Sequence, residues 1–279
     1  MESNTNMITA SLVFFNTKEE DLRKVITCVH NSIIHTLYIM DNSPSDILRN
    51  KTQELSNKCE YIFGHGNIGY GGAHNIGIKK AIEAKADYHI VLNPDISFEP
   101  EVISELLKFA ERHEDVGLIL PKVTYPNGNL QYLCKLLPSP LDIFGRRLLP
   151  QKFIKNRNER FEMRKIGYNT TWNCPILSGC FMFMRISLLQ KTGGFDERFF
   201  MYFEDFDLMR RLHKVSKTVY YPSVSIIHNH AAEHHTNKAL LKASILSAIK
   251  YFNKWGWVFD KERAIVNKHA FDEENRIID

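Results

Sequence analysis

Apolar runs alternate with amphipathic stretches along the first half of the chain, which predicts strands and helices in turn. "MITASLVFF" predicts a buried strand, and "TKEEDLRKVITCVHNS" the helix after it, with Leu22, Val25, Ile26 and Val29 as its apolar stripe. Thr17 and Glu20 stand at capping-box spacing where that helix begins. "TLYIM", "EYIF" and "YHIVL" predict further strands, and the stretches after them predict helices: "PSDILRNKTQEL" led by Pro44, "AHNIGIKKAIEAKA" and "EPEVISELLKFAERHE". Strands alternating with helices imply a parallel sheet with right-handed crossovers.

The second half breaks this rhythm. "GLILPKV" and "CFMFMR" predict strands, "YPNGN" a turn, and "KTVYYPSVSIIH" two short strands around Pro222. Residues 138 to 170 are basic and expected to be irregular, and "HTNKALLKASILSAIKYFNKW" predicts a final amphipathic helix. No linker rich in Gly, Ser or Pro divides the chain, so a single α/β domain over 1–279 is expected.

Composition changes this picture little. At 279 residues, 44% hydrophobic and 24% charged, the chain suits a globular protein with a real core. A net charge of +4 does not argue for nucleic acid as a partner, and no recognised nucleic-acid module is present. The five cysteines are scattered without CxxC spacing, as in a reduced, cytoplasmic protein. The opening "MESNTNMITASLVFFNTKEE" has no basic start and too short an apolar run for a signal peptide, and no stretch approaches a spanning helix.

Ligands of an open parallel sheet bind beyond the carboxyl ends of its strands. Just past the predicted strands stand Asn16, then Asp41, Asn42 and Ser43, then "GHGNIGYGGAHN", then Asn93 and Asp95. Any one of these is also turn chemistry, but four in a row on one sheet edge favour a site. Gly64 to Gly69 matches GxGxxG, with Asp87 about where a ribose-binding acid would stand, which keeps an NAD-type oxidoreductase open. Against it, that fingerprint belongs to the first strand–helix turn, where this chain has no glycine, and Tyr70, Gly71 and Gly72 come before the predicted helix. Asp95 past a buried strand suits a hard divalent cation carrying phosphate oxygens; as a mere cap for a helix at 99–113 it stands too early.

The stretch "FFMYFEDFDLMRRL" sets Glu204, Asp205 and Asp207 among Phe199, Phe200, Tyr202, Phe203 and Phe206, where desolvation makes charge costly. Asp207 and Arg211 are spaced i, i+4, as in a structural pair. Together with "NTKEEDL", "MDNSPSD", "NIGYGGAHNIGI", "LNPDI", "LSGCFMFMR", "GGFDERFFMYFEDFDLMRRL" and "YYPSVSIIHNH", in that order, this stretch resembles glycosyltransferase family 2, nearest its bacterial rhamnosyltransferase-like branch. The resemblance covers about residues 8 to 235.

It implies a GT-A fold, Rossmann-like with a mostly parallel central sheet flanked by helices, plus a C-terminal helical extension. The halves implied are a nucleotide-sugar-binding one at about 7–125, an acceptor and catalytic one at about 126–235 and the extension at about 236–279. The activity implied is an inverting transfer from a nucleotide sugar, dTDP-rhamnose before a UDP-hexose, to an acceptor hydroxyl in polysaccharide synthesis such as that of O-antigen. Asp205 falls on the family's base, with Glu204 beside it, and a carboxylate kept partly dry is the stronger base. The donor contacts implied are Asn16, Asp41, Asn67, Gly71, Gly72, Asn75, Asn93 and Asp95. A divalent cation, Mg²⁺ or Mn²⁺, is implied at Asp95 and His228, although Asn93 replaces an acid there and His230, His234 and His235 crowd nearby.

The segment 145 to 165 carries Arg146, Arg147, Lys152, Lys155, Arg157, Arg160, Arg164 and Lys165 against Glu159 and Glu162, with Leu148, Leu149, Phe153 and Phe161 interleaved. It reads either as a solvated loop or as a peripheral contact with anionic lipid or a lipid-linked saccharide acceptor at the inner face of the cell membrane. A non-catalytic saccharide-binding or scaffold protein is the remaining alternative.

Overall fold

In a computed structural model that describes residues 6–229 and 238–277, the first half alternates as its hydrophobic pattern predicts. β1 (Ile8–Phe14), β2 (Thr36–Asp41), β3 (Cys59–Ile62) and β4 (Tyr88–Leu92) are joined by α1 (Glu19–Asn31), α2 (Arg49–Leu55) and α3 (Tyr70–Glu83). These strands pair in parallel in the order β3-β2-β1-β4. β1 is buried along its whole length because strands flank it on both sides. Its polar positions, Thr9 and Ser11, are satisfied by His89 and His74, which burial keeps neutral.

Local signals decide several boundaries. Leu22, Val25, Ile26 and Val29 are buried on α1 as predicted, but the capping box of Thr17 and Glu20 does not form. Lys18 is the N-cap, and Glu19, Glu20 and Asp21 favour the helix N-terminus through its dipole instead. The Pro44-led stretch is mostly turn, and α2 starts only at Arg49, whose side chain and amide both bind Asp46. α3 starts three residues ahead of the predicted Ala73, directly after Gly69.

The sheet continues beyond β4 as a mixed one. β5 (Ile96–Phe98), α4 (Glu101–Arg112) and β6 (Val116–Thr124) follow, then β7 (Thr171–Asn173) and β8 (Phe181–Arg185). β8 inserts antiparallel between β4 and β6, so the parallel character is confined to β3-β2-β1-β4 and to the pair of β6 with β9 (Lys217–His228). β9 is one strand, not two: a register shift between Pro121 and Lys122 loops residues 222–224 out, so Pro222 never has to donate to the ladder. β10 (Arg276–Ile277) closes the far edge against β7.

Residues 138–170 are not irregular. They form α5 (Pro140–Leu148) and α6 (Gln151–Phe161), and α5 is opened by a complete capping box of Ser139 with Asp142. After α7 (Ile186–Thr192) and α8 (Glu204–His213) comes α9 (Lys238–Trp255), which is followed by α10 (Lys261–His269) and so is not the last helix. The predicted start of α9 at His235, and the histidines His230 and His234, lie outside the described residues. A small separate core of Phe199, Phe203, Ala248, Tyr251 and Phe252 fastens the acidic segment to α9.

Candidate active site

The acids of the aromatic segment are aimed by strain. Tyr202 and Phe203 both sit in the left-handed region at φ 67°, which costs about 1–3 kcal/mol each and persists only where the surroundings enforce it. They do so here: Phe199 and Phe203 are buried against α9, Ser247 donates to the Met201 carbonyl at 2.8 Å, and the Tyr70 amide donates to the Phe200 carbonyl at 2.9 Å. Gly69 is needed for that last contact, since a Cβ there would lie 2.1 Å from the Phe200 oxygen.

The two left-handed residues turn Glu204 and Asp205 inward at the start of α8. Asp205 accepts hydrogen bonds from the Gly179 amide at 3.2 Å and the Phe206 amide at 2.9 Å. Gly179 admits the carboxylate because it has no side chain: a Cβ would meet Asp205 Cβ at 3.0 Å. Burial raises the pKa of Asp205, while the nearby Lys135 charge and the amides restrain the rise. Glu204 is 5% exposed, and its Oε2 has no partner among the described residues. Burial, then the Asp205 charge, pushes its pKa well above the usual carboxylate range. Asp207 is different: fully buried, it pairs with Arg211 at 2.9 Å and Lys254 at 2.6 Å and accepts from the Trp255 indole. The expected Asp207–Arg211 pair is therefore structural.

A second group lies where β5 meets β9. The antiparallel register sets Ile96 opposite His228, and the Asn229 amide donates to the Asp95 carbonyl at 2.8 Å. This brings His228 Nε2 to 3.3 Å from Asp95 Oδ1, both in buried positions. Gln131 orients the ring, with Oε1 3.0 Å from His228 Nδ1 and Nε2 donating to the His228 carbonyl at 2.8 Å. Burial opposes charge on His228, but the proximity of Asp95 and Cys180 outweighs it and raises the pKa to about 10. Asp95 caps nothing: α4 is preceded by Pro100 and has no side-chain cap. A carboxylate oxygen and an imidazole nitrogen converging in one buried spot fit a divalent cation. Among the described residues no group of three His, Cys, Asp or Glu forms, so such a cation would take its other oxygens from phosphate or water.

The remaining loop residues divide into those that face this centre and those that brace it. The Tyr70 hydroxyl lies 3.0 Å from Asn93 Oδ1 and 2.8 Å from the Gly179 carbonyl, linking the Asn-Pro-Asp turn to the amide that holds Asp205. Asp41 is buried, with one oxygen accepting from the Tyr61 hydroxyl and the other from the Ser43 amide at 2.8 Å. Asn42 staples the glycine loop through His65 at 2.9 Å, Gly69 O at 3.1 Å and Asn67 at 3.3 Å. Asn16 is exposed and left-handed at φ 51°, with its amide on Ser43 Oγ. Asn75 spends its amide on Phe195 and Glu197. Gly71 lies inside α3 against Phe195 and Glu204, whereas a Cβ on Gly72 would meet only ordinary contacts with Ile68. The glycine loop follows β3 rather than β1, so the dinucleotide arrangement is absent.

Sequence reasoning missed Tyr70, Gln131, Lys135 and Gly179 as parts of this centre. Tyr70, inside "NIGYGGAHNIGI", and Gly179, inside "LSGCFMFMR", stood in quoted motifs, whereas Gln131 and Lys135 stood in none.

Comparison with known proteins fits this geometry. The chain is 34% identical over 182 residues to an N-acetylglucosaminyl-diphospho-decaprenol L-rhamnosyltransferase of Mycobacterium tuberculosis (strain ATCC 25618 / H37Rv), a match spanning 59% of this chain and 57% of that protein. It is 25% identical over 267 residues to the rhamnosyltransferase WbbL of Escherichia coli (strain K12), across 91% of this chain and 93% of WbbL. Among solved structures, S. aureus TarS 1-349 in complex with UDP-GlcNAc aligns with a TM-score of 0.57 at 13% identity, covering 96% of this chain and 74% of that one. At that identity the likeness speaks for the fold alone, and the fold is the GT-A arrangement of a central sheet flanked by helices. The sequence profile of Glycosyl transferase family 2 matches residues 10–193, from β1 through α7 and so more than half of the chain. On that match the chain belongs to glycosyl transferase family 2.

Proposed function

We propose that this chain is an inverting glycosyltransferase that moves a sugar from a nucleotide-sugar donor to a hydroxyl of a lipid-linked saccharide in cell-surface polysaccharide synthesis. The names of the two rhamnosyltransferase relatives favour dTDP-rhamnose as donor, with a UDP-hexose second. The observation that carries the reading is the contrast between two neighbouring acids. Asp207 is consumed by ion pairs, while Asp205 is held by two amides and has no cation at ion-pair distance among the described residues.

Asp205 then serves as general base, taking the acceptor hydroxyl's proton as its oxygen attacks the anomeric carbon from the face opposite the leaving diphosphate. The new glycosidic C–O bond forms as the bond to the donor phosphate breaks, which inverts the configuration. Glu204 is packed on Gly71, and burial together with the Asp205 charge favours its neutral form, which limits negative charge beside the base. Asp95 and His228 would hold the cation, which when bound supplies Lewis-acid stabilisation of the leaving diphosphate. Tyr70 fixes Asn93 and Gly179 between the two centres. No helix among the described residues is long and apolar enough to cross a membrane, and a peripheral position at the inner membrane face through the tip of α5 and α6 completes the reading.

The test combines a donor panel with one substitution. Thermal stabilisation by dTDP-rhamnose and UDP-hexoses, with and without Mg²⁺ or Mn²⁺, identifies the donor; a ligand at a hundred times its Kd adds about 2.7 kcal/mol. Asp205→Asn is expected to lower turnover about 10²–10⁴-fold while donor binding holds. Turnover within a factor of about three of wild type removes Asp205 as base. Full activity in chelator removes the cation, and a product that retains the donor's anomeric configuration removes inversion.

A further inference from the structure

A row of cations leads away from Asp205, and beyond the effect of Lys135 on that acid the transfer chemistry gives it no task. Lys135 lies in the extended segment after β6, bridged to Ile176 by amide hydrogen bonds of 2.7 and 3.0 Å. Ile176 stands three residues before Gly179, whose amide holds Asp205. The Lys135 ammonium stands 5.3 Å from the ring centroid of Phe206, the residue that follows the base in the chain. Among the described residues no carboxylate reaches it at ion-pair distance. The charges of Asp205, Arg146 and Glu162 all act on it.

Arg146 and Glu162 continue the row. The next residue, Leu136, donates its amide to the Phe161 carbonyl at 3.0 Å, tying the segment to the end of α6. Glu162, a buried carboxylate, is shared by Arg146 and by Arg164, the latter at 2.6 Å. Arg164 stacks 4.1 Å from the Tyr132 ring centroid and Arg146 lies 5.8 Å from that of Phe161, so both guanidinium planes are pre-set. Arg146 and Arg164 share a cavity of about 370 Å³ with Lys152 and Lys155 near the α5–α6 tip. One carboxylate between two guanidinium groups fixes them without neutralising both, and each keeps N–H donors for another anion.

Resting on the lipid-linked acceptor read above, we infer that Lys135, with Arg146 and Arg164 behind it, is the subsite for the diphosphate group of that acceptor. A diphosphate offers the two adjacent anionic groups that a point-charge ammonium and a guanidinium fork can share. Seated there, it fixes the distance between the acceptor's lipid-linked end and the hydroxyl presented to Asp205. The donor's own diphosphate is left to the Asp95 and His228 centre.

The experiment measures kcat/KM for two probes, N-acetylglucosamine on a diphosphoryl short-chain prenol and the same sugar on a neutral octyl aglycone. In Lys135→Gln and Arg164→Gln the ratio of the diphosphate probe to the neutral one is expected to fall at least tenfold, mainly through KM. Lys135→Arg should restore most of the ratio, which a purely structural role would not. Calorimetric binding of geranyl diphosphate should weaken in step, with binding of the nucleoside diphosphate little changed. An unchanged ratio overturns the inference and leaves Lys135 as a charge that only steadies Asp205. An equal loss of nucleoside diphosphate binding also overturns it, by moving these cations to the donor. If wild type turns over neither probe with any donor, the transfer reading fails by itself, and geranyl diphosphate binding decides the subsite alone.

Discussion

Gly69 and Gly128 share a positive φ, 84° and 82°, but not their surroundings. An added Cβ at Gly128 would meet nothing within 4 Å, whereas at Gly69 it would sit 2.1 Å from the Phe200 carbonyl oxygen. Alanine at a positive φ costs about 1–3 kcal/mol, with Gly69 at the upper end because its φ of 84° and ψ of 180° are adopted readily by glycine alone. For a chain of this size that lowers Tm by roughly 2–4 °C per kcal/mol. Gly69→Ala must in addition push the Phe200 backbone away, by about 0.9 Å if the contact is to relax from 2.1 to 3.0 Å. Phe200 opens the strained turn that aims Asp205, and a misplacement of about 1 Å at the reacting group costs on the order of 10²-fold in rate. Both variants are assayed by release of nucleoside diphosphate with a fixed acceptor, and by thermal melting. Gly128→Ala is expected to lose a few degrees and keep kcat/KM within about twofold. Gly69→Ala is expected to lose more stability and about 10²-fold in kcat/KM. If the two variants match in both measurements, the Gly69–Phe200 contact does not position the base, and the strain at Tyr202 and Phe203 must be enforced from α9 alone.

What could be read from the sequence follows from where the information is local. Burial on one face leaves a period, so β1, β4 and the stripes of α1 and α4 were legible from apolar spacing. The acids were legible for the opposite reason: Glu204 and Asp205 contradict their aromatic setting, and such a conflict marks function. Segment 138–170 failed because α6 presents few apolar residues, although Ser139 and Asp142 spelled the capping box of α5 in plain view. β9 failed because proline argues against a strand interior, and a looped-out bulge is set by pairing with β6, not by its own residues. The antiparallel insertion of β8 left no local mark either. Nor could spacing find Gln131 or Lys135. Their roles exist only once β5, β9 and residue 176 are in register, when Gln131 meets His228 and Lys135 lies beside Phe206.

Two further predictions test the electrostatics. Because burial raises the Glu204 pKa in the fold, its contribution to stability is present below its unfolded pKa of about 4.3 and is lost as pH rises through the folded value. Glu204→Gln should therefore melt close to wild type near pH 4 and higher than wild type as pH rises; a difference that does not vary with pH would deny that Glu204 takes up a proton on folding. The other concerns the membrane face. Leu148 is 79% exposed and Phe153 71%, with Lys152 and Lys155 beside them at the α5–α6 tip. Phe144, one turn before Leu148, stacks on Trp257, so the 95% exposed Phe259 lies on an adjoining loop. Apolar tips among cations suit the headgroup region of an anionic bilayer, where each lysine is worth about 1 kcal/mol and salt screens the attraction. Replacing Lys152 and Lys155 with Gln removes about 2 kcal/mol, or roughly thirty-fold in partition onto phosphatidylglycerol-rich vesicles. The loss should shrink as salt rises, while Phe259→Ser should weaken binding at all salt concentrations because its contribution is apolar. Equal vesicle binding by the double variant and wild type at low salt would remove this tip as the contact. It would also leave the neighbouring cations of Arg146 and Arg164 to the acceptor alone.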